Sequence, residues 1–117
     1  MELQVKVREL GQELAVVEVS GEADLYTTPK LKETVIDLIS RGRIRVVVNL
    51  ASVSYLDSTA LGVLVGSYKR VREKGGNLAL VGPQARIRKV FEITRLVNVF
   101  DIYDTEEQAL KSLGAGG

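Results

Sequence analysis

The chain contains no histidine and no cysteine. These absences remove whole classes of chemistry. Without histidine there is no Ser-His-Asp triad, and no Ser-Lys spacing stands out in its place. Without either residue there is no Cys/His metal cluster, although isolated carboxylates leave a weak magnesium site open; no catalytic residue, cofactor or metal site is expected. Without cysteine there is no disulfide, which fits a reducing compartment. An excess of one charge is also missing: 16 basic residues stand against 15 acidic ones. General nucleic-acid binders usually carry a basic excess on one face, so no nucleic-acid partner is expected. Positive charge does gather at Lys69, Arg70, Arg72 and Lys74, and again at Arg86, Arg88 and Lys89. Both groups read as solvated helix faces. No apolar run approaches the roughly 20 residues that span a bilayer, and "MELQVKVREL" has no signal-peptide core. The expectation is a cytoplasmic chain with no direct membrane insertion.

What is present suits one ordinary domain. A chain of 117 residues, 45% hydrophobic, buries about two-thirds of its unfolded surface without staples. "LQVKVREL" alternates with period two, Gly11 turns the chain, and "ELAVVEVSG" returns, which predicts an opening hairpin. Thr28 followed by Pro29 reads as a helix start, an oxygen cap and then a residue without an N–H. Leu31, Val35, Leu38 and Ile39 continue at helical spacing, and Gly42 ends the helix. "IRVVVNL" is apolar and β-branched, as in a strand covered on both faces. "ASVSYLD" reads as a short loop. A second helix runs from about Ser58 to Lys74 and stops at Gly75 and Gly76. "NLALVG" is another buried strand, "PQARIRKVFEITRL" a third helix and "VFDIYD" a short strand. "TEEQALKSL" is a last helix, with Thr105 and Gln108 at capping-box spacing. The order β-β-α-β-α-β-α-β-α predicts an α/β fold with a mixed central sheet, an N-terminal hairpin and about four α-helices. Residues 1–113 form the expected single domain, and 114–117, "GAGG", an expected flexible tail.

The hinge "SYLDSTALG" is the most informative stretch. It places Asp57, Ser58 and Thr59 at the mouth of the second helix. It lacks the lysine of a phosphate-binding loop. A response-regulator receiver also carries an aspartate after a buried strand. Here, however, Glu22 and Asp24 would have to hold its magnesium, and the opening hairpin breaks its strand-helix alternation. Ser58 falls at or near the N-cap, where its hydroxyl would accept a backbone N–H. The same place also tolerates a phosphate, because free N–H groups and the helix dipole favour an anion. A phosphoryl group there adds about −1.5 to −2 charge. Leu61, Leu64, Val65, Tyr68 and Val71 form the stripe expected to face the sheet. Thr59, Gly62, Val63, Gly66, Ser67 and Arg70 lie on the other side. Glycine costs roughly 1 kcal/mol relative to alanine inside a helix. Gly62 and Gly66, one turn apart, therefore point either to close packing within the domain or to something else that approaches closely.

The run "VVVNLASVSYLDSTALGVLVGSYKRVREKGGNLALVG", with "GEAD" before it and "IRKVFEITRLVNVFDIYDTEEQAL" after it, strongly resembles the STAS domain. Within that family it is most similar to bacterial anti-sigma factor antagonists of the sporulation and stress-response type. The resemblance covers nearly the whole chain. It implies a binding protein, not an enzyme, that works by partner switching. The unmodified antagonist binds an anti-sigma factor that is also a serine kinase using ATP, and so frees the sigma factor for transcription. Phosphorylation ends the binding, and a PP2C-like phosphatase resets it. Carried over, Ser58 is the phosphorylation site. Asp57 is the adjacent acid that positions the contact, and Asp24 lies near the same surface. Thr59 matches the second hydroxyl, which is not the usual acceptor. Asp24, Asp57, Ser58, Thr59, Gly62, Val63 and Gly66 make up the expected partner-binding set. Ala60 stands where many members have glycine, and Tyr26-Thr27 follows "GEADL" where the family varies. The alternative is a constitutive STAS scaffold subunit of a stress-sensing or transport complex, with Ser58 as a plain cap.

Overall fold

The computed structural model describes residues 2–114. Of the expected tail, only Gly114 falls within that range. It sits in the turn after the last helix and donates its N–H to the Lys111 carbonyl. Residues 115–117 lie outside the described residues.

β1 (Leu3–Leu10) and β2 (Leu14–Ala23) form the expected hairpin, antiparallel from Leu3↔Gly21 to Leu10↔Leu14. Gly11 supplies the positive φ its turn requires. Then come α1 (Thr28–Ser40), β3 (Arg45–Leu56), α2 (Ser58–Glu73), β4 (Asn77–Val81), α3 (Ala85–Ile93), a 3₁₀ turn at Leu96–Asn98, β5 (Asp101–Tyr103) and α4 (Glu106–Ser112). The five strands lie side by side in sequence order. β2, β3, β4 and β5 are mutually parallel, so the sheet is mixed.

Alternation along the strands divides the interior in two. Val17, Val19, Val46, Val48, Leu78 and Leu80 face α1, α2 and α3, meeting Leu31, Val35, Leu64, Val71, Ile87 and Phe91. Val16, Val47, Ala79 and Val81 face the other way, where Ala109 and Leu113 from the region of α4 cover them. β3 is therefore covered on both faces, as its β-branched run predicts. Phe100 locks the larger core by edge-on contacts with Phe91 and Tyr68, at centroid separations of 5.8 and 5.4 Å. Thr105 and Gln108 close the expected capping box on α4.

Three local expectations need correction. "ASVSYL" is not a loop: β3 runs on to Leu56, because Ser52, Val53, Tyr55 and Leu56 keep pairing with Ser20, Gly21, Glu22 and Ala23 across two register shifts. The cap of α1 is Thr27, one residue before the expected Thr28, and its side chain makes no capping bond. Its hydroxyl is engaged in the preceding turn, donating to the Glu22 carbonyl at 2.7 Å. The third helix ends at Ile93, well short of Leu96. Arg95 takes a left-handed conformation, φ 63°, which an α-helix does not tolerate.

Candidate functional site

The parallel strands β2 and β3 end beside each other, so the loop into α1 and the hinge into α2 are neighbours by topology. Asp57 joins them. It is the N-cap of α2, and its Oδ1 accepts the Ala60 N–H at 3.0 Å. Its Oδ2 reaches the other loop and accepts the Leu25 N–H at 3.0 Å. Its own N–H donates to the Ala23 carbonyl at 3.0 Å. One carboxylate thus caps a helix and clamps a second segment against it.

Ser58 is consequently not the cap. It is the first helical residue and is exposed. Among the described residues its hydroxyl makes no hydrogen bond to the protein. The first turn of a helix has no intrahelical partners for its N–H groups. Asp57 satisfies Ala60, while the N–H groups of Ser58 and Thr59 donate to no acceptor among the described residues. Asp57 outcompetes Ser58 as cap because its residue is the extended one, φ −99° and ψ −177°, as capping geometry demands. The hinge therefore presents a free hydroxyl, two unused backbone donors and the positive end of a helix dipole in one spot.

Asp24 lies in the adjacent loop but is buried, at 6% exposure. Its Oδ1 accepts the N–H groups of Tyr26 and Thr27, both at 2.9 Å, and the Thr27 hydroxyl at 3.1 Å. The Thr27 N–H bond, set against the cost of burial and helped by the Tyr26 N–H and the Thr27 hydroxyl, holds the carboxyl below its ordinary range. Asp24 shapes the loop; the groups facing outward there are Leu25 and Tyr26, exposed at 58% and 86%. Sequence reasoning passed over both. The signal was present in "ADLYTTP", where an Asx-turn acid precedes two large apolar residues and a helix start.

Thr59, Gly62, Val63 and Gly66 line a groove between α2 and α1, facing Lys32 and Ile36 and closed by Ser67 and Arg70. The expected division of α2 into two sides holds only in part. Ser67 is buried, its hydroxyl donating to the Val63 carbonyl at 2.7 Å, and Val63 packs partly against the core. The reason is that α1 lies along that side. The glycines are another matter. A Cβ built on Gly62 or Gly66 meets no atom within 4 Å. Packing inside the domain does not require either.

Comparison with known proteins places this geometry. A family model described as the STAS domain matches residues 4–109, and the chain belongs to that family. A Staphylococcus epidermidis protein named anti-sigma-B factor antagonist is 41% identical over 91 residues, covering 78% of this chain and 84% of the relative. The Bacillus subtilis protein of the same name is 38% identical over 103 residues, covering 87% and 92%. The crystal structure of an anti-sigma factor antagonist from Mycobacterium paratuberculosis superposes with a TM-score of 0.85 at 25% identity, covering 95% of this chain and 93% of that one. No helix among the described residues is long and apolar enough to cross a membrane.

Proposed function

We propose that this chain is an anti-sigma factor antagonist switched by phosphorylation at Ser58. In the unmodified state the hinge and the α1/α2 groove bind an anti-sigma factor that carries serine kinase activity, and the sigma factor held by that protein is released. The kinase then moves the γ-phosphoryl group of ATP to the Ser58 Oγ. The O–P bond to ADP breaks, the bond to Oγ forms, and the hydroxyl proton leaves to a base on the partner. The new dianion sits at the lip of the interface and ends the binding. A PP2C-like phosphatase restores the hydroxyl.

The observation that carries this reading is the state of Ser58: exposed, without an internal hydrogen bond, and relieved of capping by Asp57. A serine with no structural duty beside two open N–H groups suits an acceptor whose product must be accommodated without unfolding. Lys32 and Arg70 at the groove favour a partner surface with acidic groups facing α2. The test is a lysate pull-down with Ser58→Ala and Ser58→Asp baits, repeated with Ser58-phosphorylated protein. A kinase-like anti-sigma protein retained by the alanine bait and lost with the phosphorylated one is the expected result. Equal retention by all three would sink the switch.

A further inference from the structure

Four successive backbone amides, from the β2–α1 loop into the first residue of α1, are satisfied from within the domain. Leu25 donates to Asp57 Oδ2, Tyr26 and Thr27 donate to Asp24 Oδ1, and Thr28 donates to the Asp24 carbonyl at 2.9 Å. A loop so completely tied down is not exposing its side chains by default. Yet it thrusts Leu25 and Tyr26 into solvent, at 58% and 86% exposure. Single exposed apolar residues are ordinary; two adjacent large ones on a rigid backbone are not. Rigid aromatic side chains make interface anchors, because little freedom is left to lose on binding. The clamp from Asp57 also fixes their position relative to Ser58, the next residue along.

We infer that Leu25 and Tyr26 form a preformed apolar finger that inserts into an apolar pocket of the anti-sigma factor, beside the site that delivers phosphate to Ser58. This rests on the reading of the Ser58 face as the anti-sigma interface, and continuity with that face selects this occupant. Asp24 and Asp57 act as positioning residues: one shapes the finger, the other sets its distance from the acceptor hydroxyl. The exposed Ile93 on α3 belongs to a different element and has no part in it.

The probe is the kinase-type anti-sigma factor retained by the Ser58→Ala bait, purified and titrated calorimetrically against the full chain. Tyr26→Ala and Leu25→Ala are each expected to weaken binding at least tenfold, and Tyr26→Phe to keep it within about threefold. Ile93→Ala serves as the exposed apolar control and should bind as wild type. Because both finger side chains are exposed, all variants should melt within a few degrees of wild type. If Ser58→Asp abolishes binding while Leu25→Ala and Tyr26→Ala bind within twofold of wild type, the switch stands and the finger is overturned. If Tyr26→Phe loses as much as Tyr26→Ala, the hydroxyl is the contact and the apolar pocket is overturned. Should the finger variants instead change the sedimentation of the protein alone, the occupant is a second copy and the inference fails. If the Ser58→Ala bait retains no such kinase, or if wild type and Ser58→Asp bind alike, the underlying reading falls and the finger with it.

Discussion

Replacing both Gly62 and Gly66 by alanine should make the protein more stable and a worse binder at once. Both residues lie inside α2 with helical neighbours on either side, and an added Cβ meets nothing within 4 Å at either position. Steric cost inside the domain is therefore absent. The helix-propensity gain of roughly 1 kcal/mol per site should appear in full, part of it through a less flexible unfolded chain. The two sites share no neighbouring atom that either methyl would displace. Summed over the two sites, the gain is about 2 kcal/mol. For a domain of this length that raises the melting temperature by roughly 6–12 °C. A partner seated against the bare backbone meets two new methyl groups. Overpacking of that kind costs about 1–3 kcal/mol, equivalent to roughly a 5- to 150-fold loss of affinity. Thermal melts by circular dichroism and calorimetric titration with the anti-sigma factor read the two effects separately. A double variant that is not stabilised would refute the open-space argument. One that is stabilised and binds like wild type would show that nothing approaches α2 closely at these positions.

The assignment of the cap makes an opposite pair of predictions. Ser58→Ala should leave stability within about 0.5 kcal/mol of wild type. Asp57→Ala removes a cap worth about 1 kcal/mol and the acceptor of the Leu25 N–H, worth about 1 kcal/mol more; urea melts would show the order reversed if Ser58 were the cap. Acid sensitivity should trace in part to Asp24. Its carboxyl titrates below the ordinary 3.8 when folded, so the unfolded chain binds more protons in that window. The stabilisation it contributes is complete above the unfolded value and is lost as pH falls through the folded one. Asp24→Asn should flatten the stability–pH profile by lowering stability at neutral pH, where the carboxylate's contribution is complete, and changing it little at pH below the folded value. Finally, Glu106 accepts from Asn49 at 2.7 Å and pairs with Arg8. Burial opposes its ionisation, but these two partners outweigh burial and hold its carboxyl below the ordinary range. Glu106→Ala should cost about 1–2 kcal/mol and raise amide exchange at Val16 and Val47 beneath α4.

The expectations that held were those set by local rules. The capping box at Thr105 and Gln108 needs only residues three apart. The β-branched run of β3 announces burial on both faces whatever its neighbours are. The misplaced features depended on distant partners. "ASVSYL" looks like a loop until β2 continues alongside it. Asp57 and Ser58 are both good caps by composition, and the choice between them turns on one residue of backbone conformation. Leu25 and Tyr26 would be counted with the core by hydrophobicity alone. They are outside it because Asp57, a helix and a strand away in sequence, and the nearby Asp24 pin the backbone beneath them. The glycines of α2 announced an approach but not its side. Only the empty space around them excludes an internal cause.

The uneven distribution of helices over the sheet has a consequence for synthesis. Three helices shield one face as the strands are laid down in order, but the opposite face waits for α4, the last of the four helices in chain order. Until residues 106–113 emerge from the ribosome, Leu14, Val16, Val47, Ala79 and Val81 form a bare apolar surface. Surfaces of that kind seek other chains. A nascent or prematurely ended product would therefore be sticky although its hinge and groove were already complete. The last few residues of the domain thus act as a quality gate, separating a chain that can meet its regulator from one that chaperones and proteases should claim first.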